Sequence, residues 1–390
     1  MSKHHPTIWI SVWIFLAVLF IFWFGLYFSA EENKTSVSFD DMRISRTLAE
    51  QRLVNNVKPN GGFVYRYDPI IDKSPDTNNE LRQLMATRVL GELAREDSSL
   101  YNLHRRNMEY VFDRFYVSSG DIARIEHSKK SKLWAIAMAV RALVASPFAD
   151  EYTSETLQLA ETMLRLQQPD GSFRAWWIAP TYAYDEDYLL TFYSWEAILA
   201  WLELYIRTQD AKRLAAARRA QDFYLTRYVE QIDERYYPAY VPRHTMSLRH
   251  LWQITKDERY AQAIFTLNNK LIDEMLDTSV YTWRFYNPAF AQYGSPHSSS
   301  DAVYTEGVAY AYGLARERDD AVHMKKYATA LDLAVKNLII LQYTEADAFP
   351  QIDAKKILWS IRINTENPEI RVDTTQHMID AFRAVEKFVQ

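Results

Sequence analysis

Apolar residues along this chain fall into two kinds of helical segment that alternate. Leu133–Ala145, Tyr188–Tyr205 and Val303–Ala315 are apolar almost all the way round, as in a helix surrounded by protein. Asp210–Glu230, Tyr260–Leu276 and Lys325–Gln342 are apolar on one side only. In the last of these Tyr327, Leu331, Ala334, Leu338 and Leu341 share a face, with charged and amide side chains opposite. The pattern predicts twelve helices in six pairs, at about 40–56, 78–95, 99–115, 131–145, 153–167, 188–208, 210–228, 245–255, 257–276, 301–317, 321–343 and 374–388. The expected architecture is all-α, with buried helices ringed by amphipathic ones; an irregular helical domain is the alternative.

Connection lengths alternate as well. Ala94–Ser99, Ser146–Thr153, Thr208–Ala211, Thr255–Glu258 and Arg316–Ala321 are short polar turns that suit antiparallel neighbours. Lys58–Thr77, Ser118–Lys130, Gln168–Asp187, Gln231–His244, Asp277–Ser300 and Glu345–Asp373 are long and rich in aromatics. Strict alternation places every long connection at one end of a ring. Loops on a rigid scaffold are where sites are built, so that end is the expected functional face.

Ahead of the helices, Ile8–Ala30 holds 23 residues without a charge, enough for a helix to cross a bilayer. Phe28 is a poor residue for signal-peptide cleavage after Ala30, so an uncleaved transmembrane anchor is expected. Lys3 precedes the span while Glu31 and Glu32 follow it, which orients residues 1–7 to the cytoplasm and the rest outward, to the periplasm or beyond. Residues 31–39 read as a linker and 40–390 as one large domain.

Three motifs carry a resemblance. Asn60-Gly61-Gly62-Phe63 and Gln168-Pro169-Asp170-Gly171-Ser172-Phe173 precede two inner helices, and Tyr304-Thr305-Glu306-Gly307 opens a third. Over about residues 40–390 the chain resembles the six-hairpin (α/α)6 toroids of glycan-active enzymes: glucuronyl C5-epimerase-like domains, N-acylglucosamine 2-epimerases and related glycosidases. The resemblance implies a toroid acting on a polysaccharide or oligosaccharide. It matches no one family's complete catalytic set.

Charge and composition narrow the chemistry. A formal net charge of −5 without a basic run argues against nucleic acid, and the absence of Cys removes thiolate sites and disulfides. No His-x-x-x-His spacing occurs, so no metal and no cofactor is expected. Acids cluster at the long-loop ends of the inner helices: Asp187 beside Asp185 and Glu186, Asp301, and Asp373. Each suits a helix cap, but carboxylates that converge on one mouth can divide acid and base roles in glycoside hydrolysis. Glu196 and Glu306 are the first charges inside otherwise apolar helices. Such an acid is either paired, with Arg82, Arg141, Arg249 or Arg383 as partners, or held protonated as a proton donor. Gly307, Ala309 and Gly313 leave room beside Glu306, which favours it as donor; Glu196, between Trp195 and Trp201, reads as a paired core residue.

The leading expectation is therefore a glycoside hydrolase with Glu306 as acid and Asp187 or Asp373 as base. A uronate C5-epimerase or lyase is the second, with Tyr304 or His377 as base and Arg249 and Arg371 against the substrate carboxylate. A non-catalytic glycan-binding subunit beside a polysaccharide exporter is the third. Tyr65, Tyr67, Arg82, His244 and His297 complete the expected substrate contacts.

Overall fold

The computed structural model describes residues 38–278, 282–287, 292–293, 297–348 and 353–389, together with Leu16. The expected anchor Ile8–Ala30 lies outside the described residues except for Leu16, and among those described no helix is long and apolar enough to cross a membrane. Residues 1–41 and 42–390 form two compact units. In the first, the Ser38 amide donates to Asp41 Oδ2 (3.0 Å) and the Asp41 amide to Ser38 Oγ (3.1 Å), a reciprocal cap.

Among the described residues there are twelve long helices: α1 (Phe39–Asn55), α2 (Glu80–Glu96), α3 (Tyr101–Phe115), α4 (Leu133–Ala145), α5 (Thr153–Leu166), α6 (Glu186–Thr208), α7 (Ala211–Leu225), α8 (Val241–Thr255), α9 (Glu258–Asp273), α10 (Ser298–Glu317), α11 (Ala321–Ile340) and α12 (Val372–Val389). The even-numbered helices form the inner ring. Each packs on the next, and α12 returns to α2. Every odd-numbered helix from α3 to α11 packs on the inner helix before it. The first and last of these helices meet as well: Ala49 and Leu53 of α1 share a core with Val89, Leu90 and Leu93 of α2 and with Val372 and Ile379 of α12. Closing the ring thus ties together the two ends of the domain.

Burial follows the sequence pattern. In α4, every residue from Leu133 to Leu143 except Trp134 is buried, and in α9 the buried set is Tyr260, Ala261, Ala263, Ile264, Phe265, Leu267, Asn268 and Leu271. A buried Leu, Ile or Val contributes roughly 1.5–3 kcal/mol, so the all-round apolar helices hold most of the driving force. The long connections pair with one another. Arg66–Tyr67 runs antiparallel to Ile370–Arg371, Ser131–Lys132 to Trp176–Ile178, and His297 bridges to Asn364.

Two of the motifs turn out to be structural. The amide of Gly62 donates to Asn60 Oδ1 and that of Ser172 to Asp170 Oδ1, and Val57↔Phe63 and Gln167↔Phe173 form matching bridges. Gly61 (φ +91°) and Gly171 (φ +99°) lie in the left-handed region, where a Cβ would also strike the carbonyl of Arg106 or Arg219 at 2.2 or 2.3 Å. Each hairpin therefore seats on the next outer helix.

The largest boundary shift is at α8, which begins at Val241 rather than Thr245. Pro242 sits in its first turn, where a missing amide hydrogen costs nothing. There α10 crosses very close: a Cβ on Gly307 would lie 2.5 Å from Cα of Pro242. Gly307→Ala is expected to lower unfolding stability by about 1–3 kcal/mol, the cost of overpacking, measured by chemical denaturation. An unchanged midpoint would mean that α8 and α10 do not approach this closely.

Candidate active site

Side chains of α2, α8, α10 and α12 meet around Asp373 and Glu306. Asp373, at the beginning of α12, is fully buried and held from two sides: Arg82 Nε of α2 lies 3.2 Å from Oδ2, and Arg371 Nε donates to Oδ1 at 2.9 Å. Burial works against its charge, yet Arg82 and Arg371 outweigh this and hold the carboxyl well below the ordinary carboxylate range. Two guanidiniums on one carboxylate leave a net positive charge. One turn along α12, His377 is buried; desolvation, reinforced by Arg243, lowers its pKa to about 3 and keeps it neutral, and its Nδ1 finds no partner among the described residues.

Glu306 of α10 pairs with Arg243 of α8 (Nη1 to Oε2, 2.5 Å). Burial pushes its pKa up to about 7 against the pull of Arg243, and Asp380 adds to the rise. Above this charged floor stands an aromatic wall. The Arg82 guanidinium lies 5.7 Å from the Trp134 ring of α4, Arg243 lies 5.7 Å from the Trp195 ring of α6, and the two indoles are 6.0 Å apart. Phe192, Tyr188 and Tyr237 continue the wall outward. The first turns of α4 and α8 carry neither a side-chain cap nor an acid, so the positive ends of two helix dipoles stay unneutralised there.

A second charged layer lies deeper. Arg88, Arg141, Arg249, Glu306 and Asp380 each stand eight residues past the first residue of their helix. Arg88 pairs with Asp380, Arg141 with Glu196 and Glu203, and Arg249 with Glu317. Glu196 is thus a paired core residue, and Glu306 is both paired and shifted toward neutrality.

Several expected site residues lie elsewhere. Asp187 is 71% exposed and pairs with Arg227 (2.8 Å) in the turn after α7, while its neighbours Asp185 and Glu186 bond the backbone amides of Tyr188 and Ala175. His244 is buried against Tyr224, Tyr228 and Tyr240, beside Gln221, because it sits in the first turn of α8 facing α7. Arg249 stacks on Phe388 and pairs at the far end of α10, two turns below the mouth. Tyr67 belongs to a separate cluster with Tyr343, Ala348, Ile357 and Ile370, its hydroxyl donating to Asp72. Asp301 is a cap: its Oδ2 accepts from the His297 amide (3.0 Å), and burial raises its pKa. Tyr304 is buried close to Asp301, Tyr236 and Tyr237, and Tyr65 packs against the core between α1, α2 and α12 while its carbonyl accepts from the Val372 amide. His297 stands close enough to Arg371 and Asp373 to feel both charges. The structure therefore gathers Arg82, His297, Glu306, Arg371, Asp373 and His377, and adds Arg243, Trp134 and Trp195, which the sequence reading passed over.

Known structures share this architecture. A D-mannose isomerase superposes with a TM-score of 0.65 at 11% identity, covering 90% of this chain and 98% of that one. An α-1,6-mannanase from Salegentibacter sp. gives 0.63 at 11% identity over 89% and 100%. The cellobiose 2-epimerase of Bacillus thermoamylovorans gives 0.66 at 9% identity over 88% and 98%. No family model and no curated protein sequence matches the chain. The fold is that of the (α/α)6 toroids.

Glu306→Gln keeps the shape and removes the titrating proton. Turnover is expected to fall ~10²–10⁴-fold. A reaction that uses Glu306 as proton donor slows as pH rises through about 7, one that uses it as base quickens over the same range, and the variant should lose either limb. An unaltered pH–rate profile would leave Glu306 a structural partner of Arg243. Asp187→Asn, by contrast, should keep turnover within about twofold, as expected of an exposed change.

Proposed function

We propose that the protein is a glycan-active enzyme whose reaction turns on proton transfer at the long-loop end of the ring. The observation that carries this reading is the floor itself: a glutamate poised near neutrality, a neutral imidazole whose Nδ1 has no partner among the described residues, and a net positive charge from Arg82 and Arg371 around Asp373. Epimerisation or elimination at a uronate uses these parts directly. The cations hold the sugar carboxylate, and Glu306 and His377 are the groups able to take a proton from the adjacent carbon and return one. The toroid neighbours that act on mannose, cellobiose and mannan support a sugar as the substrate.

Hydrolysis is the second reading, favoured by the raised pKa of Glu306, which suits protonation of a glycosidic oxygen. It requires a carboxylate free to act as base or nucleophile, and Asp373 is bound to two arginines while Asp187 is turned outward. The two chemistries separate in D2O. Epimerisation by this route places deuterium on carbon in the product, elimination yields an unsaturated sugar, and hydrolysis yields new reducing ends with no carbon-bound deuterium. A protein that binds the cognate polymer but never turns it over would overturn the enzymatic reading in favour of a binding subunit.

Residues 8–30 are further proposed to anchor the chain with residues 1–7 in the cytoplasm and the ring outside, near the exported or surface polysaccharide. The uncharged run and Lys3 support this. A C-terminal alkaline phosphatase fusion should be active and membrane-bound. An inactive phosphatase fusion paired with a fluorescent cytoplasmic one would contradict the orientation, and a mature chain beginning near Glu31 would contradict the anchor.

A further inference from the structure

Beside the charged floor lies a concavity that the proposed reaction does not use. It has a volume of about 320 Å³, within the range of small-molecule sites, and lies between the starts of α2, α4 and α6 under two long connections. At its base Glu80 is buried, with Lys132 Nζ at 2.8 Å and His127 Nδ1 at 3.1 Å from its carboxylate oxygens. Burial opposes the charge of Glu80, but His127 and Lys132 outweigh it and bring its pKa down to about 2. Lys130 lies over the Tyr182 ring at the edge. Trp176 lines the wall, and its indole N–H has no acceptor among the described residues.

The two sites are joined by aromatic rings. Arg82, which holds Asp373 in the floor, lies against Trp134; the Trp134 ring is 5.5 Å from Tyr193, Tyr193 is 6.3 Å from Trp176, and Trp176 is 5.9 Å from Tyr184. Glu80 and Arg82 share the first turn of α2, so the base of the pocket and the edge of the floor are a few ångströms of helix apart. Flat apolar surfaces interrupted by donors and one fixed carboxylate suit a pyranose ring, whose faces stack and whose hydroxyls both donate and accept.

We propose that this pocket is a second sugar subsite, which holds a neighbouring unit of the glycan whose reacting unit lies on the charged floor, so that the enzyme takes an oligomeric chain rather than a free sugar. The inference rests on the reading of the floor as a glycan site. The test is a glycan array of mono- to hexasaccharides, neutral and uronate-containing, probed with wild type, Trp176→Ala, Tyr184→Ala and His377→Ala, each checked for folding by thermal unfolding. Wild type should bind oligomers more tightly than the corresponding monosaccharide. Trp176→Ala and Tyr184→Ala should each weaken oligomer binding by roughly three- to tenfold, the worth of one stacking ring, and leave monosaccharide binding unchanged. His377→Ala should weaken both. Equal affinity for monomer and oligomer, or folded Trp176 and Tyr184 variants with wild-type oligomer affinity, would overturn the subsite and leave the floor intact. Failure of wild type to bind any glycan would overturn the reading of the floor, and this one with it.

Discussion

Six helices packed side by side around one axis leave a space that no backbone fills, and side chains pointing into it find partners chiefly in one another. That constraint organises the molecule. Apolar residues seal the helix contacts, but the axis itself is lined by arginines and carboxylates from different helices. A buried charge left alone costs several kcal/mol, so the axial groups occur as cross-ring pairs: Arg82–Asp373 and Arg88–Asp380 between α2 and α12, Arg141–Glu196 between α4 and α6, and Arg243–Glu306 and Arg249–Glu317 between α8 and α10. The pairs that join α2 to α12 form only when the ring closes.

The same geometry turns a structural necessity into a site. Deep in the axis the guanidiniums of Arg88, Arg141 and Arg249 are buried and each is paired with a carboxylate. Near the long-loop end they are unbalanced, with two guanidiniums on Asp373 and a neutral His377 whose Nδ1 has no partner among the described residues, above a Glu306 in the deeper layer that burial and Asp380 push toward neutrality. Perturbed titratable groups that meet beside a wall of aromatics suit proton-transfer chemistry. The close approach of α10 to α8 at Gly307 sets the distance between Glu306 and Arg243.

Much of this was legible in the sequence. The contrast between Leu133–Ala145, apolar all round, and Tyr260–Leu276, apolar on one face, specified inner and outer helices, and the alternation of long and short connections set the polarity of the ring. The positions of Glu306 and Asp373 were also legible, the first as a charge inside an apolar helix and the second as an acid opening one. Arg243 was missed because Pro242 read as loop although it occupies the first turn of α8. Trp134 and Trp195 were missed because an aromatic in an apolar helix carries no mark that separates wall from core. His244 and Arg249 failed as site residues for one reason: loop-end position does not determine which way a side chain on a helix turns, and one faces α7 while the other lies two turns down the axis.

The central claim is that the ring closes through paired charges between its first and last inner helices. A double-mutant cycle on Arg88 and Asp380, with Arg88→Met, Asp380→Leu and the double variant compared by denaturant unfolding, tests it directly. Both side chains are buried and bonded to each other, so the account predicts a coupling energy of about 2–3 kcal/mol, at the upper end for contacting residues. Single effects that add to within ~0.5 kcal/mol would place the two residues apart and contradict closure.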